Sequence, residues 1–255
     1  LTFAAQVVLS VAAPAPLARQ PDSAEEKKPA LRQLTSLLAN RDMRLAACGI
    51  FAAYACGGLY DAMYGVHVSD AFGYGPSQAS LLFSIEPSCY LLLLLLLAPL
   101  ADGAASQSKT TAATAATTPS SSAHAGRWRS KPGLTALGLA LTGLSLPLLS
   151  LGAGLRRGSH VSLVASLLVH GAGYAVRDLV GHGLLADLVD RHRVGSYAMA
   201  FALADCADSL GYIAGPLVGF ALARLLRSRL AGLLLVGIAC ASLAPPIAGM
   251  AARSL

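Results

Sequence analysis

Apolar positions in this chain come in long unbroken blocks, and the polar ones gather between the blocks. The blocks run over residues 45–64, 79–101, 134–155, 160–186, 196–223 and 230–252. Each approaches or exceeds the roughly 20 residues that a helix needs to cross the hydrocarbon core of a bilayer. Transmembrane β-strands would alternate apolar and polar residues over about ten positions. The seven consecutive leucines from Leu91 to Leu97 do not alternate. The pattern predicts an all-α membrane protein with six spanning helices.

The opening stretch, Leu1 to Ala13, is apolar but too short to span, and Pro14 and Pro16 close it. It has no basic segment ahead of it and does not read as a signal peptide. Residues 1–17 are therefore expected to be the end of a preceding membrane helix, which would make the chain a fragment. Residues 18–44 form a linker in which Leu31, Leu34 and Leu38 fall at helical spacing, predicting a short helix on the membrane surface. The first two spans of the bundle lie in 45–102. Residues 103–132 form a second polar loop whose core, 103–126, is almost entirely Ala, Ser, Thr and Gly and is expected to be disordered. The remaining four spans lie in 133–252, and 253–255 form a tail. Both loops also have a plainer reading as linkers.

Composition agrees with this partition. Of the 255 residues, 55% are hydrophobic and 13% charged, against about 25% charged in a soluble domain; the mean hydropathy is +0.60. The net charge of +6 sorts by loop. If the segment before the first span is cytoplasmic, that side holds thirteen basic residues: Arg19, Lys27, Lys28, Arg32, Arg41, Arg44, Lys109, Arg127, Arg129, Lys131, Arg191, Arg193 and Arg253. The other side holds five, Arg156, Arg157, Arg224, Arg227 and Arg229, and Arg177 is left within a span. Positive residues favour the cytoplasm, so both ends are expected inside. No basic stretch is interleaved with aromatics, so nucleic acid is not an expected partner; the bilayer is.

The usual signs of enzyme chemistry do not stand out. Cys48, Cys56, Cys89, Cys206 and Cys240 are scattered singly without a paired spacing, so neither a metal nor a disulfide is expected. There is no nucleophile–base order or phosphate loop, and no cofactor is expected. What remains is a set of carboxylates in the wrong solvent: Asp61, Glu86, Asp178, Asp205 and Asp208 all lie within predicted spans. A charge at the middle of a membrane helix costs at least about 2.5 kcal/mol, and such residues commonly mark ion or proton pathways. A carboxylate that can be neutral or charged can exchange a proton for a cation.

Helical spacing refines the list. Tyr197, Phe201, Asp205, Asp208 and Tyr212 fall near one face, and an aromatic stripe carrying a carboxylate suits an ammonium group. Ala207, Gly211, Gly215 and Gly219 repeat every four residues on an adjacent face, as a helix-packing seam does. Asp178 and His182 form an i, i+4 pair with Arg177 alongside; an Arg–Asp–His network that only neutralises itself is the competing reading. Tyr54 and Tyr64 lie on the side of Asp61, and Glu86 beside Pro87 is placed near a helix break.

The run Leu188-Val189-Asp190, Arg191-His192-Arg193, Tyr197, Ala202-Leu203-Ala204-Asp205 and Gly211-Tyr212-Ile213-Ala214-Gly215-Pro216 resembles the tenth and eleventh helices of the vesicular amine transporters of the major facilitator superfamily. Upstream, Arg41-Asp42 with Leu45-Ala46-Ala47 is similar to the start of that family's seventh helix, and Asp61 falls where the family has a membrane-embedded glutamate. Ala98-Pro99-Leu100-Ala101-Asp102 and Gly126-Arg127-Trp128 resemble the two ends of the loop after the eighth helix, separated here by the insert. The resemblance spans about residues 34–250 and is specific over 186–219.

The resemblance implies the C-terminal six-helix half of a transporter that exchanges protons for an amine-like organic cation in the membrane of a vesicle or other acidic organelle, with the plasma membrane as the alternative. It implies Asp205 and Asp178 as proton-coupling residues. Asp61, Tyr64, Tyr212 and Asp208 are expected to line the substrate path, with His182, Arg177 and Glu86 as a possible relay. The missing N-terminal half, or a partner chain, would complete the site. The chain departs from the family in lacking prolines after Asp61, where Ala62-Met63-Tyr64-Gly65 follows, and in adding His182 and Asp208. A general drug:proton antiporter of the same superfamily and a non-transporting half that binds a partner are the alternatives.

Overall fold

A computed structural model describes residues 30–97, 121–154, 159–193, 196–226 and 229–252. The expectations for residues 1–17, most of the 103–132 loop and the 253–255 tail lie outside the described residues. The elements are α1 (Ala30–Ala39), α2 (Arg41–Phe72), α3 (Pro76–Leu97), α4 (Ser121–Gly154), α5 (His160–His192), α6 (Tyr197–Leu225), α7 (Arg229–Ala241) and α8 (Ala244–Ala252). No strand occurs among the described residues. Six segments are long and apolar enough to cross a membrane: α2, α3, Lys131–Leu151 of α4, α5, α6, and Gly232–Met250 across α7 and α8. The chain is a multi-pass helical membrane protein.

Several helices run past their apolar blocks because their ends are capped. The Asn40 side chain accepts from the backbone N–H groups of Asp42 and Met43, satisfying donors that a helix start leaves free. Gly73 ends α2 in the left-handed conformation at φ 68°, which glycine adopts without steric cost. The 32 residues between span about 48 Å at 1.5 Å per residue, more than the hydrocarbon core, so the polar end turns reach the headgroup zone. Helix α4 begins at Ser121, so residues 121–132, expected as loop, are helical.

Prolines break two spans. Pro87 has no N–H for the Phe83 carbonyl, and α3 is interrupted by a turn at Ser84, two residues before Glu86. Pro245 and Pro246 act likewise on the last span. Its turn at residues 242–243 separates α7 from α8, and Leu243 N–H bonds the Cys240 carbonyl at 3.1 Å.

Close helix contacts rest on small residues. Ala200, Ala204, Ala207, Gly211, Gly215 and Gly219 of α6 are all buried, and this seam packs along α2. A β-carbon at Gly211 would strike the Phe51 carbonyl, and one at Gly215 the Ala55 carbonyl. Helices α4 and α7 meet at Gly143 and Gly237, where an added β-carbon on either would lie within 2.6 Å of the other's carbonyl oxygen. Because the obstacle at Gly215 is backbone, Gly215→Ala is expected to push α2 and α6 apart. The expected loss is about 1–3 kcal/mol, the range for overpacking, read as a lowered thermal midpoint in detergent.

At one end of the bundle, polar contacts join helix termini. His192 Nε2 lies 3.2 Å from an Asp42 carboxylate oxygen, and Lys131 Nζ lies 2.5 Å from Asp187. Tyr197 donates to Asp190. Ser196 donates to Gln33 of α1 at 3.3 Å. These residues belong to the side assigned to the cytoplasm by basic charge. Helix α1 docks on α2 and α6, with Gln33 and Leu37 buried, while Leu38, one of the leucines expected at the membrane surface, is exposed. At the opposite end, Tyr74 and His160 are hydrogen-bonded at 2.7 Å.

Candidate cation and proton site

Arg177 is the organising group. Its side chain is 3% exposed at the middle of the bundle, where an unpaired charge would be very costly. Asp178 is next to it in sequence, and both Arg177 Nε and Nη2 donate to Asp178 Oδ1, at 2.9 and 2.6 Å. The Tyr90 hydroxyl on α3 donates to the other carboxylate oxygen at 3.2 Å. The guanidinium also lies between two aromatic rings, 4.0 Å from the centre of Tyr54 on α2 and 4.0 Å from that of Tyr174 on its own helix. Those rings meet edge-on at 5.8 Å. Arg177 Nη1 is buried with no hydrogen-bond partner among the described residues.

Helix α6 brings two more carboxylates to this pair. Asp205 is exposed and Asp208 half-buried. Together with Arg177, Asp178, Tyr54 of α2 and His182 they line one shallow, open cleft. With all three carboxylates ionised, the cleft carries a formal charge of −2. Arg177 is already matched by Asp178, so Asp205 and Asp208 have charge left to offer. One monovalent cation and one proton would neutralise it.

The expected residues divide between this cleft and three other places. Asp178, Asp205, Asp208, Arg177 and His182 meet in the cleft. His182 does so with its ring 6.0 Å from Phe201, while the partners of Asp178 are Arg177 and Tyr90. Asp61 and Tyr212 form their own pair, with the Tyr212 hydroxyl donating at 2.5 Å across the α2–α6 contact. Tyr64 is buried. Its ring packs against Tyr60 and Phe83 and its hydroxyl donates to the Ala79 carbonyl at 3.4 Å. It joins α2 to α3 and does not line the cleft. Glu86 faces His170 on α5 at 3.8 Å, away from the cleft. Tyr197 sits at the helix end with Asp190, so the aromatic stripe on α6 is divided.

The ring that faces the carboxylates comes from α2, at Tyr54. Sequence reasoning placed Tyr54 only beside Asp61, and it missed Tyr174, Tyr90 and His170. For two of these a signal exists: His170, Tyr174, Arg177 and Asp178 follow the i, i+4, i+7 spacing of one helix face. Tyr90 has no such signal, since its place depends on how α3 packs. Comparison with models of protein families gives no match, and neither does comparison with curated protein sequences.

Proposed function

We propose that this bundle carries the cation and proton sites of a proton-coupled antiporter for an organic, amine-like cation, built as the C-terminal half of a major facilitator superfamily transporter in an acidic organelle membrane. The reading rests chiefly on charge left over inside a membrane bundle. Arg177 and Asp178 neutralise each other, and Asp205 and Asp208 stand beside them in an open cleft with a tyrosine ring at its wall. A bundle that only had to be stable would not retain them, given what a carboxylate costs in the hydrocarbon. The resemblance supports the same reading: its specific stretch, 186–219, puts Asp205 on one of that family's transport carboxylates, and the same register extended upstream without gaps puts Asp178 on another.

In this mechanism a cationic amine enters the cleft from the cytoplasm and pairs with Asp205 and Asp208, its ammonium also meeting the Tyr54 ring. On the acidic side, protons neutralise the carboxylates and the cation leaves. Return to the cytoplasm releases the protons. Alternating exposure of a midplane site by rocking helix bundles is the general mode of such transporters.

Cation and proton therefore compete for the same oxygens. Equilibrium binding of a labelled organic cation to the protein in detergent is expected to weaken steadily as pH falls, because each protonation removes an attractive charge. Binding independent of pH would place the cation elsewhere and remove the basis of the proposal.

A further inference from the structure

Helix α3 contributes a second carboxylate, Glu86, at a place unconnected with the cleft. It lies against one of the most buried side chains of the bundle, His170, which is 1% exposed. The hydrogen positions there follow from elimination. Ser145 Oγ is 2.7 Å from the Thr142 carbonyl and 2.8 Å from His170 Nδ1. A carbonyl can only accept, and a hydroxyl has one hydrogen to give. Ser145 thus donates to Thr142 and must accept from His170, which fixes the proton of the neutral ring on Nδ1. The bare lone pair of Nε2 is left pointing at Glu86, whose Oε1 is 3.8 Å away.

An ionised Glu86 would therefore confront another acceptor, with no hydrogen between them. Its second oxygen, Oε2, is buried and has no partner among the described residues. The contact is built into the helices: α3 comes so close to α5 here that a β-carbon on Gly171 would lie 2.6 Å from the Glu86 carbonyl oxygen. The Tyr60 ring stacks on the His170 ring, with centroids 4.1 Å apart and planes within 9°, and Tyr174 meets it edge-on at 4.9 Å. These rings hold the imidazole in place and keep water from its faces.

We infer that Glu86 and His170 form a proton-binding site that holds one shared proton, either on the carboxyl and directed at Nε2 or on Nε2 and directed at the carboxylate. One proton turns two facing acceptors into a donor and an acceptor, and a small side-chain rotation closes 3.8 Å to hydrogen-bond length. The surrounding groups agree with this. Asp61 and Tyr64 of α2, Cys89 of α3, Tyr174 of α5 and Tyr212 of α6 interact electrostatically with Glu86, and Arg177 does so with His170. Among them the one permanent cation, Arg177, is matched by Asp178, while Asp61 adds a second carboxylate, so the charge the site lacks is positive. The proton also has a mechanical consequence. Glu86 is on α3 while His170 and Ser145 are on α5 and α4, so the shared proton fastens α3 to the other two helices and its loss sets two acceptors against each other.

The sequence makes this testable, because its glutamates are Glu25, Glu26 and Glu86. In the Glu25→Gln/Glu26→Gln chain, carboxyl-¹³C-glutamate reports on Glu86 by itself, and ¹⁵N-histidine reports on its partner through a ¹³C–¹⁵N dipolar correlation. At neutral pH, in lipid, we expect that correlation together with one proton on the pair, seen as a protonated carboxyl or as an imidazole protonated on both nitrogens. An ionised Glu86 correlated with a neutral imidazole would overturn the assignment. So would a Glu86 carboxyl with no imidazole correlation.

Discussion

Replacing Arg177 by Ala is expected to cost about 3–5 kcal/mol of folding stability, the range for breaking a buried ion pair from one side. Asp178 would keep only the Tyr90 hydroxyl, and Tyr54 and Tyr174 would lose the cation between their rings, a contact worth about 0.5–2 kcal/mol for each ring. Arg177→Lys is expected to restore little. An ammonium cannot cover two rings at 4.0 Å while giving two hydrogen bonds to one carboxylate, as the planar guanidinium does. Asp178→Asn has the mirror defect, since it leaves a guanidinium buried without its counter-charge. The informative variant is the double one, Arg177→Met with Asp178→Asn, in which no uncompensated charge remains. It is expected to recover most of the stability lost by Arg177→Ala. Thermal unfolding of the four variants in detergent measures this. A double variant no more stable than the singles would mean that the pair is not what the fold depends on there.

Asp205 behaves in the opposite way. It is exposed on the cleft, so Asp205→Asn is expected to move stability by no more than about 0.5 kcal/mol while removing a charge the cation uses. A charge-assisted contact is worth about 1.5–3 kcal/mol, which corresponds to roughly a ten- to hundredfold loss of cation affinity and a matching fall in proton-driven uptake. Asp208→Asn, on the same cleft, acts in the same direction. The contrast with Arg177 separates two kinds of charge within the spans of this bundle. One kind holds the helices together, and the other is available to a ligand.

How much of this was legible beforehand depends on what kind of signal each residue leaves. The six spans follow from uninterrupted apolar blocks, which only a membrane tolerates. The α2–α6 seam follows from the four-residue repeat through Ala207, Gly211, Gly215 and Gly219; the structure buries all four and sets the three glycines against α2. The meeting of Arg177 with Asp178 follows from adjacency, and the break near Glu86 from Pro87. Orientation of the other helices does not follow. In a bilayer the lipid-facing side and the core-facing side of a helix are both apolar, so hydropathy alone does not say which way Tyr64 or Tyr54 points. Tyr64 was expected on the substrate path and is buried against Tyr60 and Phe83 instead.

His170 illustrates the same limit from the other side. In sequence it is one histidine in an apolar helix, and its meaning comes from Ser145 on α4 and Glu86 on α3. On α1 the leucine spacing marks Leu38, which is exposed, but leaves unmarked Leu37 and Gln33, which are buried where α1 meets α2 and α6. The start of α4 was misread because Ala-, Ser- and Thr-rich composition resembles a linker, although alanine is the strongest helix former among the residues.

Uptake of labelled organic cations into proteoliposomes with an acidic interior, by the complete transporter that carries this bundle and by its Asp205→Asn/Asp208→Asn variant side by side, tests the central claim most directly. The account predicts accumulation by the wild type that collapses when a protonophore dissipates the gradient, and none by the variant despite a retained fold. Equal, gradient-driven accumulation by both would contradict it.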